Sequence, residues 1–122
     1  MASRAKRRKE EEYKRALAEI IQGNTRDRHF ETATITDVEL SSDLKYAKVF
    51  VDLIGGEEQK EEALDTFNDK EGFFRTNLAH RVNPRFTPEL EFILDRSWDR
   101  MNRINTILQE DKENEDADPG NE

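Results

Sequence analysis

"NDKEGFFRTNLAHRVNPRF", residues 68–86, places a glycine inside a run that is otherwise helical in pattern, and the acidic residues stop at that point. Phe74, Leu78 and Val82 recur at i, i+4 and i+8, one face of a helix. Ala63, Leu64 and Phe67 mark another helix before it. Glycine in a helix interior costs about 0.5–1 kcal/mol relative to alanine. The spacing therefore predicts two helices with a turn at Lys70-Glu71-Gly72, a positive φ at Gly72, and a second helix beginning at Phe73. Asn83-Pro84 ends it, because a residue before proline is driven out of the helical region. Upstream of Gly72 the chain reads EEQKEEALDTFNDKE; downstream, from Phe73 to Pro88, sixteen residues pass without one Asp or Glu.

Working outward, Gly55-Gly56 separates this helical pair from two runs rich in β-branched and aromatic residues, TATITDVEL (32–40) and LKYAKVFVDLI (44–54), joined by Ser41-Ser42-Asp43. They read as an antiparallel hairpin. In the second run Ala47, Val49, Val51 and Leu53 alternate with Tyr46, Lys48, Phe50 and Asp52, so one face is wholly apolar and the other mixed. Thr87-Pro88 leads into ELEFILD, a third strand with Leu90, Phe92 and Leu94 on one side. Tyr13, Ala16, Leu17, Ile20 and Ile21 predict a first amphipathic helix stopped at Gly23-Asn24, and Ser97 can cap a last helix holding Met101, Ile104, Ile107 and Leu108. The order helix, strand, strand, broken helix, strand, helix is that of an α+β domain, a three-stranded sheet with helices on one face.

A chain of 122 residues fits one domain with one modest core. Cysteine is absent, which excludes disulfides, thiolate metal sites and cysteine nucleophiles, and there is no signal-like or membrane-length apolar run; a cytoplasmic setting is expected. The formal charge of −8 is unevenly spread. Residues 110–122 hold seven acids and one lysine, and with Pro, Gly and almost no apolar residues they are expected to form a disordered acidic tail. Residues 1–9 hold five bases and are expected to form a flexible basic N-terminus, leaving 10–109 as the folded domain. Because exposed charges more than ~8 Å apart are largely screened at physiological salt, local sign outweighs the total.

Catalysis finds no support in the residues. No Gly-rich phosphate loop, nucleophile elbow or HExxH occurs, and neither His29 nor His80 has a second ligand at a metal-binding spacing, so no catalytic residue, metal or cofactor is expected. The acid-free stretch is the informative feature. A helix that starts at a turn offers free backbone N–H groups and the positive end of its dipole, and with Phe74 facing the core, Arg75, Thr76, Ala79 and His80 face away from it. A phosphate backbone suits that face; a plain solvated surface is the alternative.

The hairpin block VELSSDLKYAKVFV (38–51), followed by EGFFRTNLAHRV and VNPRFTPELEF, resembles the bacterial ribosome-binding factor A family, over roughly Tyr13 to Leu108. The resemblance implies a type II KH-like domain with a helix–kink–helix in place of the usual glycine loop. It also implies a non-enzymatic, monomeric factor that binds the small (30S) ribosomal subunit and its 16S rRNA during late maturation and rRNA processing, with a role in cold adaptation and no small-molecule substrate. Where the family's kink reads Ala-x-Gly, this chain has Lys70, Glu71 and Gly72, and its stretch before the last strand, residues 82–86, has one arginine where the family has two. The expected RNA contacts are Arg4, Lys6, Arg7, Arg8, Lys45, Lys70, Gly72, Phe73, Arg75, Thr76, His80, Arg81 and Arg85. The alternative is a protein-interaction adaptor whose acidic helix (57–71) and tail engage a basic partner such as a ribosomal protein.

Overall fold

The computed structural model describes residues 4–23, 30, 32–82, 87–97, 101, 103, 104, 107 and 108. Its elements are α1 (Arg4–Gln22), β1 (Thr34–Leu40), β2 (Tyr46–Asp52), α2 (Glu57–Asp69), α3 (Glu71–Val82) and β3 (Glu89–Leu94). β2 is central, antiparallel to β1 and parallel to β3. A parallel pair needs a long crossover, which α2 and α3 supply.

Three rows of inward residues cross the sheet, Leu40–Ala47–Leu90, Val38–Val49–Phe92 and Ile35–Val51–Leu94, and the helices cover them. A register shift between Ile35 and Asp37 keeps both Ile35 and Val38 on the buried side. Tyr13, Ala16, Leu17, Ile20 and Ile21 form the buried stripe of α1, as their spacing predicts. At the centre Phe67, Phe74 and Phe92 pack on one another, and Phe30 packs on Phe67 and Phe74, with ring centroids 4.7–5.6 Å apart. The spacing of offset or tilted aromatic pairs is of this size.

The hairpin turn is built from side chains as much as backbone. Ser41 Oγ donates to Asp43 (2.6 Å) and accepts from the Tyr46 amide (3.1 Å), while Leu44 takes a left-handed φ of 63° that turns its side chain onto the core.

Two sequence expectations change. Residues 4–9, expected to stand apart from the first helix, are its first turns. The second change is that the chain does not turn at Gly72: the single non-helical residue between α2 and α3 is Lys70, at φ −100° and ψ 20°. Any residue can adopt those angles, so no glycine is needed. α3 starts at Glu71, its first i→i−4 bond runs from the Phe74 amide to the Lys70 carbonyl (3.1 Å), and φ at Gly72 is not positive. Among the described residues the glycine with a left-handed φ is Gly55, at 125°. Met101, Ile104, Ile107 and Leu108 are helical but 50–60% exposed, so they add nothing to the core. The acidic tail lies outside the described residues.

Candidate nucleic-acid interface

Side chains from the covering helices close both outer edges of the sheet. On β1, Glu10 of α1 accepts from the Leu40 amide (Oε2, 2.8 Å); this carboxylate is nearly fully buried and takes a second contact from Arg7 (3.3 Å). On β3, Glu71 accepts from the Leu90 amide (2.9 Å), and Asn68 brackets Phe92, accepting from its amide (2.9 Å) and donating to its carbonyl (3.1 Å). An edge strand otherwise presents such groups as a template for pairing.

This geometry positions the basic residues. Leu40 and Leu90 lie in one row across the sheet, roughly 10 Å apart at ~4.8 Å per strand spacing, so Glu10 and Glu71 grip the same row from opposite outer edges. The turns of α1 before Glu10, with Arg4, Lys6, Arg7 and Arg8, lead to the β1 edge, where Arg7 reaches Glu10 and comes near Asp37. The start of α3 sits at the β3 end of the row, where Glu71 holds Leu90. Lys45, two residues before Ala47 in that row, is exposed at the same end, and Arg75 is tied to it through a 3.1 Å bond to the Thr87 carbonyl just before β3. Farther along, α1 and α3 converge, where Arg81 meets Glu19 at 3.0 Å.

The sequence-predicted site residues thus divide. Lys45, Lys70, Gly72, Phe73, Arg75 and Thr76 are brought together where β3 and α3 begin, Arg4, Lys6, Arg7 and Arg8 lie in the turns of α1 that lead to Glu10 at the opposite edge of the sheet, and His80 and Arg81 lie about 12–14 Å along α3 from Gly72, at 1.5 Å per residue. Arg85 lies outside the described residues. Within the group, Lys70 extends its ammonium over the Phe30 ring (5.2 Å to the centroid), and Phe73 is 40% exposed with its ring edge-on to Phe74. A small cleft lined by Glu71, Gly72, Arg75, Thr76, Ala79 and Thr87 opens beside the start of α3. The amide of Phe74 is spent on the Lys70 carbonyl, which leaves those of Glu71, Gly72 and Phe73 as the first-turn amides.

Two charge features stand out. α1 has no acid in its first turn and opens on Arg4, Lys6 and Arg7, the wrong sign for the positive end of a helix dipole. The outer face of α2 carries exposed Glu57, Glu58, Glu61, Glu62, Asp65 and Asp69. Arg7 is held above its ordinary pKa by the bond to Glu10 and the nearby Asp37. Sequence reasoning missed Glu10, Asn68 and Glu71, whose acidic or amide identity looked like surface composition; only their contacts with strand edges distinguish them. Among the described residues, no group of three or more His, Cys, Asp or Glu is placed to hold a metal, and no helix is long and apolar enough to cross a membrane.

A family model described as ribosome-binding factor A matches residues 5–108. The chain belongs to the ribosome-binding factor A family. A family protein of Syntrophomonas wolfei is 38% identical over 115 residues, covering 93% of this chain and 94% of the relative, and one of Acetivibrio thermocellus is 40% identical over 101 residues, covering 82% of each. The crystal structure of ribosome-binding factor A from Thermus thermophilus is similar with a TM-score of 0.67 and 36% identity, over 75% of this chain and 98% of that one. Coordinates of the Thermus thermophilus factor fitted into a cryo-EM map of its complex with the 30S subunit match with a TM-score of 0.60 at 36% identity, over 70% of this chain and 90% of that one. The family's type II KH-like fold, with its helix–kink–helix, is the architecture described above.

Proposed function

We propose that this protein binds the small ribosomal subunit, contacting 16S rRNA during late maturation and rRNA processing in the cytoplasm, and that it supports assembly at low temperature. It acts as a monomer and by binding alone, with no covalent step. The observation that carries this reading is the gathering of Lys45, Lys70 and Arg75 where β3 and α3 begin, with Arg4, Lys6, Arg7 and Arg8 in the first turns of α1, while the outer face of α2 is acidic. Phosphate contacts supply affinity through counterion release, and the shape of structured RNA supplies selectivity. Gly72 keeps the cleft wall free of a side chain where a phosphate approaches the first amides of α3. The 30S complex of the Thermus thermophilus factor supports the choice of subunit.

Co-sedimentation with mature and immature small subunits across a salt series tests it. Binding to immature subunits and to protein-free rRNA fragments is expected at low salt, with a steep loss as salt rises. Binding that disappears when the ribosomal proteins are removed would instead favour the protein-interaction reading.

A further inference from the structure

Among the described residues no helix covers the other face of the sheet, whose chemistry is distinct from that of the basic residues at the start of α3. Down the central strand run Tyr46, 56% exposed, then Lys48, then Phe50, which pairs across to Ile93. Carboxylates flank this spine on both neighbouring strands: Glu39 and Asp37 on β1 face Lys48 and Phe50, and Glu89 and Glu91 on β3 face Tyr46 and Lys48. Lys48 is thus offset by a Glu on each side. Two hollows open on the face, one at Tyr46, Lys48 and Glu89 and the other at Phe50, Ile93, Asp37 and Asp95, the second also lined by Arg96, whose guanidinium is engaged by Glu57.

We propose that this face docks an extended, arginine- and lysine-rich protein segment. Charge complementarity selects it. RNA is repelled by two rows of carboxylates, whereas a basic segment lying along β2 sets its aliphatic stems on the aromatic and Ile spine and its charged ends against the flanking acids. At ~3.3 Å per residue the seven residues of β2 offer about 20 Å, room for roughly six residues of such a segment. The proposal rests on the ribosomal reading only for the source of the partner, since basic protein extensions accompany rRNA; the docking itself is independent of rRNA binding.

The test is an NMR titration of the full-length 15N-labelled protein with a synthetic ten-residue peptide alternating arginine and leucine, at physiological salt. Expected are shift changes centred on the amides of β2 and on Glu91 and Ile93. Tyr46→Ala and the pair Glu39→Gln with Glu91→Gln should each weaken binding at least fivefold, with circular dichroism and rRNA binding unchanged. Glu61→Gln with Glu62→Gln on α2 should leave peptide binding as it is. The proposal is overturned if the shifts spread over α2 and the acidic tail, or if the sheet variants bind the peptide as wild type does. It is overturned equally if NOEs from the methyl groups of Met101 or Ile104 show the face already covered by this chain, or if concentration-dependent broadening shows it covered by a second copy. Loss of rRNA binding with peptide docking intact would instead count against the function proposed above.

Discussion

Asn68, the next-to-last residue of α2, holds both the amide and the carbonyl of Phe92 through one side-chain amide, at 2.9 and 3.1 Å, and so joins the helix–kink–helix to the outer edge of β3. Three residues later, on the other side of the kink, Glu71 holds Leu90. The kink is therefore set by what its two flanks grip. Replacing Asn68 with Ala leaves two partly buried backbone groups without this partner and should cost about 1–3 kcal/mol. The melting midpoint should fall, and the Phe92 amide should exchange with solvent faster; unchanged exchange would mean the kink does not depend on this bond.

Gly72 and Gly55 should respond in opposite directions. A Cβ at Gly72 meets no neighbouring group within 4 Å and φ there is ordinary, so Gly72→Ala should stabilise by up to ~1 kcal/mol. At Gly55, φ is 125° and a Cβ would come within 2.8 Å of Gln59 Oε1, so Gly55→Ala should cost about 1–3 kcal/mol. Thermal melts of the two variants check both signs. If Gly72→Ala is more stable yet binds subunits more weakly, the glycine is there for the approach of a ligand; equal binding removes it from the site.

The start of α1 offers a trade between folding and binding. Arg4 and Lys6 oppose the helix dipole, so Arg4→Glu with Lys6→Glu should raise stability by about 0.3–1 kcal/mol per site. The same pair should weaken subunit binding and flatten its salt dependence. Denaturant melts and co-sedimentation read the two effects separately, and a variant that gains stability without losing affinity would take α1 out of the interface.

The hairpin turn carries a pH signature. The Ser41 hydroxyl, the largest influence, and then the Lys45 amide hold the Asp43 carboxyl below its ordinary range. A carboxylate whose folded pKa is depressed contributes stability above its unfolded pKa of about 4, and that contribution is lost as pH falls through the folded value. The difference in melting midpoint between wild type and Asp43→Asn should be full near pH 6 and close as the pH drops below about 4. A difference independent of pH would assign the effect to geometry instead of charge.

Phe30 is the test of the core. Its ring touches those of Phe67 and Phe74 and lies beneath the Lys70 ammonium, so Phe30→Ala should cost about 3–5 kcal/mol and abolish folding at moderate temperature. Circular dichroism at 10 and 37 °C reads it.

Local periodicity determined most of the elements. The stripe Tyr13 to Ile21, the alternation through β2, the Leu90–Phe92 pattern and the break near residue 70 each follow from repeats of 3.6 or 2 that neighbours in the chain impose on one another. The concentration of bases at residues 4–9 and their absence of acidic company after Phe73 were legible in the same way. What pattern cannot carry is a contact between distant residues. Phe30 stands alone in a polar stretch, so no period marks it as core. Glu10, Asn68 and Glu71 look like any surface residues of an acidic chain until a strand edge comes to lie against them. Gly72 drew the kink to itself because glycine lowers helix propensity by ~1 kcal/mol, but several tertiary hydrogen bonds and the burial of Phe67 and Phe74 outweigh that and place the break at Lys70. Which basic residues share one end of the molecule depended likewise on the Leu40–Ala47–Leu90 row, a relation among three strands that exists only once the sheet has formed.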